Sequence, residues 1–184
     1  MGLDMYLYCN SKKVCQEVND MTDEWEKNQA FRGIAIYWRK SNAIHKWFVD
    51  NVQEGNDDCG TYEVDVNDLA RLHDACKEVL ESTELVNAKV ENGQTLIDGA
   101  WVPNMVDGQR LADTTKAEEL LPTQKGFFFG GTSYDQWYWW DLQYTMAKLD
   151  ALMENLMPSD ASQWYVVHKD EPDWAVRFHY QSSW

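Results

Sequence analysis

Hydrophobic and polar positions follow two periods along the chain, and these periods predict both strands and helices. Strict alternation over residues 3–8 places Leu3, Met5 and Leu7 on one side and predicts an N-terminal strand. Apolar segments predict two further extended pieces, at 32–38 and 62–64. Apolar residues spaced three or four positions apart predict helices, which we assign to 41–52, 66–82, 115–121 and 135–156.

Two segments are less regular. Residues 11–30 are polar and acidic, and they predict a loop with one short helix at 22–29. Residues 86–112 hold the turn dipeptides Asn92-Gly93 and Asp98-Gly99 between short β-prone pieces. This second pattern predicts a hairpin-like insertion on the surface.

The end of the chain completes the predicted fold. Residues 163–181 predict a strand, a turn at 170–173 and a second strand. A length of 184 residues is typical of one domain. We therefore predict a single α+β domain over residues 1–184, in which one mostly antiparallel sheet of four or five strands packs against about three helices.

The composition is acidic, with 31 Asp and Glu residues against 16 Lys and Arg residues and a formal net charge of −15. Proteins that bind nucleic acid or anionic membranes directly need a basic surface, so the charge argues against both classes. The chain has no apolar run of about 18 residues and no secretory signal pattern, and none of its four cysteines forms a CxxC motif. We therefore expect a cytoplasmic protein with free thiols.

A local group of basic and polar residues lies in the segment 37–48, where a helix begins. Arg39 lies at the entrance of this helix, and Asn42 and His45 share one of its faces. The favoured interpretation is a capped amphipathic helix whose histidine hydrogen-bonds its surroundings. The alternative is a pocket for an anion or phosphate, in which His45 acts as an acid–base group or a ligand.

The loop 56–60 carries the adjacent carboxylates Asp57 and Asp58 next to a glycine. Such pairs usually lie in solvated turns, and we favour that interpretation. The alternative is a site for a hard divalent cation formed by Asp57, Asp58 and His45. The sequence leaves open whether these three side chains meet.

Residues 125–140 form the most aromatic segment of the chain. The favoured interpretation is core packing followed by a helix start, and the alternative is a recognition surface. Consecutive helical residues point about 100° apart, so Trp137, Trp139 and Trp140 cannot all face the core. We expect at least one of them to be exposed, where tryptophan often contributes strongly to binding.

Acidic residues also cluster near the end of the chain, at Asp170, Glu171 and Asp173. Solubility explains such clusters in most proteins. The alternative is a negative surface that meets the basic groove of a partner protein.

Several segments spread along the chain resemble one family of small proteins from bacteriophages and prophages. The segments are MGLDMYLY, YWRKSNAIHKWF, DDCG, AEELLPTQKGFFFG, YDQWY and YQSSW. The resemblance implies an accessory phage product that acts in the bacterial cytoplasm, and it implies no catalytic residue. We expect no cofactor. It also implies a region of variable length between about Glu84 and Asp113, which agrees with the predicted insertion.

The leading functional hypothesis is a non-enzymatic acidic protein that inhibits a host defence or nucleic-acid-handling protein by stoichiometric binding, in the manner of an anti-CRISPR protein. Its partner-binding residues would be the three tryptophans at 137, 139 and 140 and the acidic cluster at 170, 171 and 173. The alternative is a small metal- or phosphate-dependent hydrolase or nuclease that uses Arg39, Asn42, His45, Asp57 and Asp58. The chain has no GxSxG, Walker, GxGxxG or HExxH motif that would favour an enzyme.

Overall fold

The computed structural model describes residues 2–126, 128–156 and 176–184. Within these ranges the chain forms six strands and six helices. In chain order they are β1 (Asp4–Cys9), α1 (Lys12–Val18), α2 (Glu24–Phe31), β2 (Ile34–Arg39), α3 (Asn42–Asn51), β3 (Thr61–Val64), α4 (Val66–Ser82), β4 (Leu85–Ile97), β5 (Ala100–Leu111), α5 (Thr115–Leu120), α6 (Gln136–Leu156) and β6 (Phe178–Ser183).

The central sheet has the order β2-β1-β6-β3, and every neighbouring pair is antiparallel. Alternation along β1 directs Met5 and Leu7 to one face, where their neighbours across the strands are Trp38 and Tyr180. All four side chains are buried. This face therefore forms the main layer of the core.

Helices cover this buried face of the sheet. The Trp38 indole N–H donates a hydrogen bond to Thr145 Oγ1 on α6 at 2.9 Å, and Phe48 on α3 stacks on Tyr180 with ring centroids 4.0 Å apart. Helix α4 then packs on α6 through the buried residues Leu69, Leu72, Cys76 and Val79. The body of the protein is thus an antiparallel sheet with a layer of helices on one face.

Strands β4 and β5 form a separate two-stranded hairpin. Asp98 and Gly99 form its turn with φ angles of 50° and 82°, and positive values at both positions are those of a type I′ turn. At its base, the Leu111 N–H donates to the Tyr134 carbonyl at 3.0 Å and the Gln109 N–H donates to Gln136 Oε1 at 2.5 Å. These contacts attach the base of the hairpin to the start of α6.

The predicted α+β class and the antiparallel pairing are correct, whereas the predicted layout is not. The strands form two sheets rather than one, and the described residues contain six helices rather than about three.

The loop predicted at the start of 11–30 contains α1. This seven-residue helix begins at Ser11, whose hydroxyl accepts a hydrogen bond from the Val14 N–H, and packing against α6 and β2 stabilises it.

At the C-terminus, β6 forms the last strand of the predicted strand–turn–strand. The first of those strands, the turn and the acidic cluster Asp170, Glu171 and Asp173 lie outside the described residues. Among the helices of the described ranges, none is long and apolar enough to cross a membrane.

Candidate functional site

His45 is completely buried on α3 and uses both of its ring nitrogens. Its Nδ1 lies 2.8 Å from the Tyr180 hydroxyl, and its Nε2 lies 3.1 Å from Asp57 Oδ1. A carboxylate only accepts hydrogen bonds, so Nε2 carries the proton and Nδ1 accepts from the tyrosine hydroxyl. The histidine is therefore a neutral link between β6 and the loop after α3.

Asp57 is the point at which several chain segments meet. Its Oδ1 also accepts a hydrogen bond from the Trp184 indole N–H at 3.0 Å, and its Oδ2 accepts one from Gln124 Nε2 at 3.3 Å. The Trp184 ring also makes an edge contact with Phe129, whose ring lies against His45. The carboxylate thus joins α3, the segment around residue 124 and the C-terminal residue.

Burial sets the protonation states of this cluster. Burial lowers the pKa of His45 below its usual value, and the nearby Asp57 carboxylate, which acts in the opposite direction, only partly offsets that effect. Burial also raises the pKa of Tyr180 well above its ordinary value. At neutral pH the imidazole of His45 is therefore neutral, and the phenol of Tyr180 keeps its proton.

Asp58 has different partners from Asp57. Its Oδ1 accepts hydrogen bonds from the Gly60 N–H at 2.8 Å and from the Tyr62 hydroxyl at 3.0 Å. In the part of the chain that the structure describes, no three His, Cys, Asp or Glu side chains are arranged to hold a metal ion. Of the metal ligands hypothesised from the sequence, the structure brings together His45 and Asp57.

Asn42 and Arg39, the other two candidates, lie in different surroundings. Asn42 is buried, donates to the carbonyls of Phe129 at 3.1 Å and Gly131 at 2.7 Å, and accepts from the Gln124 N–H at 3.0 Å. Arg39 is exposed, and alternation along β2 directs it to the face that Tyr37 occupies, away from α3. Asn42 therefore holds the aromatic segment in place, and Arg39 lies apart from the His45 cluster.

The three tryptophans at the start of α6 have unequal exposure. Trp137 is 39% exposed and Trp140 is 53% exposed, and their rings meet edge to face at 6.4 Å. Trp139 is half-buried and packs against the core. Gln136, which binds the hairpin base, precedes Trp140 by one helical turn, so the exposed ring lies on the side of α6 that faces the hairpin.

The outer half of the hairpin is a site that the sequence interpretation missed. We define the hairpin tip as residues 94–105. Its large apolar side chains are between 41% and 67% exposed, and they are Leu96, Ile97, Trp101, Val102 and Met105. The sequence did contain a signal for this site, because apolar residues are adjacent in the chain on both sides of the Asp98-Gly99 turn. Adjacent residues in a strand point to opposite faces, so the hairpin has two apolar faces instead of one.

Two surface depressions lie on the helical side of the body. One, of about 500 Å³, includes Lys77, Glu78 and Lys116, and the other, of about 370 Å³, includes Lys46, Trp47 and Arg71. Their charges are already paired, since Lys116 lies 2.8 Å from Glu78 and Lys46 lies 2.7 Å from Asp50. His45 lines neither depression.

Comparison of the chain with protein-family models, with curated proteins and with solved structures found no match.

Proposed function

We propose that the protein is a non-enzymatic binding protein that attaches stoichiometrically to a partner with a basic surface. The observation that carries this proposal is the hairpin tip, where a cluster of large apolar side chains is between 41% and 67% exposed. Exposed apolar clusters of this kind mark interaction surfaces. Trp137 and Trp140, whose rings contact each other near the start of α6, add two further exposed aromatic side chains.

The charge favours a basic partner over a neutral one. The hairpin and its flanks, residues 84–113, contain five acidic residues and two basic ones, in keeping with the net charge of −15 for the chain. The tip itself carries a single carboxylate, Asp98, at the turn. An apolar surface with acidic surroundings complements a partner cleft that has a basic rim.

The resemblance to phage proteins supplies the proposed context. Host proteins that handle nucleic acid present basic grooves, and a phage product that fills such a groove inhibits the host without catalysis. We accordingly propose a host defence or nucleic-acid-handling protein in the bacterial cytoplasm as the partner. The acidic cluster Asp170, Glu171 and Asp173 stays a sequence-based prediction of further contacts.

The test begins with capture of partners from host lysate on the immobilised full-length protein, compared with capture on a Leu96→Ser, Trp101→Ser double variant. Binding kinetics are then measured with the captured protein. Salt shortens electrostatic attraction from about 10 Å at 0.1 M to about 3 Å at 1 M, so the association rate should fall steeply with salt. The proposal is contradicted if the double variant captures the partner as well as the wild type does. It is also contradicted if the association rate does not depend on salt.

Trp140→Ala and Trp25→Ala form a matched pair for the same measurement. The two side chains are similarly exposed, at 53% and 49%, but Trp25 packs on Tyr37, on the other face of the sheet. We expect Trp140→Ala to accelerate dissociation at every salt concentration and Trp25→Ala to leave it unchanged. An equal increase of the dissociation rate in both variants would show that the loss of binding comes from general destabilisation.

The hydrolase alternative rests on one observation, the 3.1 Å contact between His45 and Asp57. Both nitrogens of the buried His45 are already occupied, which leaves it without a free position for a metal or a substrate. If a metal nevertheless binds there, Mg²⁺, Mn²⁺ or Zn²⁺ at millimolar concentration should raise the melting temperature, and Asp57→Ala with Asp58→Ala should abolish the rise. A melting temperature that these metals leave unchanged removes the support for this alternative.

A further inference from the structure

Two free thiols lie side by side where β1 ends and α1 begins. Cys9 is the last residue of β1 and Cys15 belongs to α1, and the Cys15 thiol lies 3.8 Å from the Cys9 carbonyl oxygen. The two thiols are also close enough for each to shift the pKa of the other. A disulfide requires two cysteine side chains that lie close together, and the Cys15 thiol lies beside the backbone of Cys9.

The surroundings distinguish the two thiols chemically. The Ser11 backbone N–H donates to Cys9 Sγ at 3.3 Å. The Cys15 thiol and then this N–H stabilise negative charge on Cys9, so the pKa of Cys9 is lowered in spite of its burial. The pKa of Cys15 is raised, because Cys9 takes the charge of the pair and because Cys15 is buried. Cys9 is therefore the more reactive nucleophile, since thiolate rather than thiol attacks.

Solvent access also favours reaction at Cys9 before Cys15. Cys9 is 6% exposed and precedes the exposed Asn10, whereas Cys15 is completely buried. The small exposed surface of Cys9 favours a small oxidant over a bulky reagent. Cys76, in contrast, lies inside α4 and burial raises its pKa.

We propose that Cys9 and Cys15 are a reversible redox modification site that hydrogen peroxide closes to a disulfide. In the first step the Cys9 thiolate attacks peroxide: a sulfur–oxygen bond forms, the oxygen–oxygen bond breaks, and the leaving hydroxide takes a proton to become water. In the second step Cys15, having lost its proton, attacks the Cys9 sulfenic acid. The sulfur–sulfur bond forms, the sulfur–oxygen bond breaks, and a second water leaves.

The net reaction converts two thiols and one peroxide into one disulfide and two waters. A small dithiol such as dithiothreitol supplies the two electrons that reverse it. The bridge ties α1 to the end of β1. Helix α1 packs on α6 and β2, and Asn19, which follows it, donates to the carbonyls of Ile34 and Ala35 at 3.1 Å. The oxidised state thus adds a covalent link between the sheet and this first helical segment.

The test uses the folded, reduced full-length protein treated with hydrogen peroxide, then denatured, blocked with N-ethylmaleimide and digested with trypsin. Cleavage after Lys12 and Lys13 separates Cys9 from Cys15, so the bridge joins peptides 1–12 and 14–27. We expect the joined peptides to appear, lighter by two hydrogen atoms than their sum, and to separate again with dithiothreitol. Cys59 and Cys76 should remain labelled with maleimide.

Two variants assign the roles within the pair. In Cys15→Ser the reaction should stop at the Cys9 sulfenic acid, which dimedone traps, and Cys76→Ser should bridge like the wild type. Maleimide on both Cys9 and Cys15 after peroxide treatment overturns the proposal, as does a bridge from either of them to Cys59. The wild-type peptide analysis decides the question even if a variant fails to fold.

Discussion

The body of the protein and its hairpin use apolar side chains in opposite ways. In the body, the side chains of Met5, Leu7 and Trp38 project from the sheet toward α3 and α6 and are buried there. In the hairpin, Leu96 and Trp101 face each other across β4 and β5, and both remain exposed. A hairpin without a third strand or a covering helix is only marginally stable in water. The apolar residues of the tip therefore contribute little to folding and stay available for contact with another molecule.

The polar groups also differ between the two regions, since those of the body are buried and those of the hairpin are exposed. The body buries a connected group, in which His45 links Tyr180 to Asp57 and Trp184 reaches the same carboxylate. The hairpin carries exposed polar pairs such as Lys89 and Asp107, 2.8 Å apart. Exposed ion pairs contribute little stability, whereas a buried polar group that loses its partner costs much more. Substitutions should thus have large effects in the body and small ones at the hairpin tip.

Core truncation in the body should have the largest effect. Leu72 on α4 and Leu149 on α6 are completely buried, so Leu72→Ala and Leu149→Ala each leave a cavity. We expect each to lower the free energy of unfolding by about 2–5 kcal/mol. Urea denaturation measures this loss, and a value below about 1 kcal/mol would show that the helix–helix core collapses around the cavity.

The buried polar cluster should rank second, and its two neighbouring carboxylates provide the control. Asp57→Ala leaves the buried His45 Nε2–H without its acceptor and should cost about 1–3 kcal/mol. Asp58→Ala removes exposed hydrogen bonds and should change stability by no more than about 0.5 kcal/mol. Equal losses in the two denaturation curves would contradict the assignment of Asp57 as the central residue.

The same cluster should make stability depend on pH. Because burial lowers the pKa of folded His45 below 6.5, the unfolded chain binds a proton there first as pH falls. His45 therefore stabilises the fold above about pH 6.5, and its contribution is lost as the pH falls below that value. Between pH 7 and 5, the unfolding free energy of His45→Gln should decline less than that of the wild type.

Asp141 supplies a control with the opposite sign. Its burial raises the pKa of its carboxyl to about 7, so the folded state binds a proton there before the unfolded chain does. Asp141 thus favours folding more as pH falls below 7, and Asp141→Asn should remove that gain. Denaturation curves for both variants separate the two contributions, and identical pH profiles would argue against both.

The elements that the sequence predicted well are those with strong local signals. The prediction of a helix over 66–82 coincides with α4, because that segment combines an apolar stripe with a capping box at Asp65 and Asp68. Helix α1 was missed because seven residues form a stable helix only when tertiary packing supports them. The hairpin was recognisable from the turn at Asp98-Gly99, and the prediction placed it at about 86–112, where β4 and β5 lie. The prediction did not identify the cluster of exposed apolar side chains at its tip.

The candidate site was predictable only in part, since its members are distant in sequence. His45 and Asp57 are 12 positions apart, and their contact was left open because it depends on how the intervening loop folds. Tyr180 and Trp184 lie 135 and 127 positions from their partners in the cluster, and no local pattern points to them. Such contacts arise from the position of β6 beside β1 in the sheet.

The smallest effect on stability should come from the hairpin tip. Leu96 and Trp101 form one cross-strand pair near the turn, and such a pair contributes about 0.2–1 kcal/mol relative to two alanines. The double variant Leu96→Ser, Trp101→Ser should therefore lower the unfolding free energy by less than about 1 kcal/mol, well below the loss expected for Leu72→Ala. Amide hydrogen exchange should remain slow in β1 and β6 and become faster only within residues 94–105. A loss as large as that of the core variants would mean that the tip is part of the folding core. In that case the apolar side chains of the tip would contribute to folding stability as those of the body do.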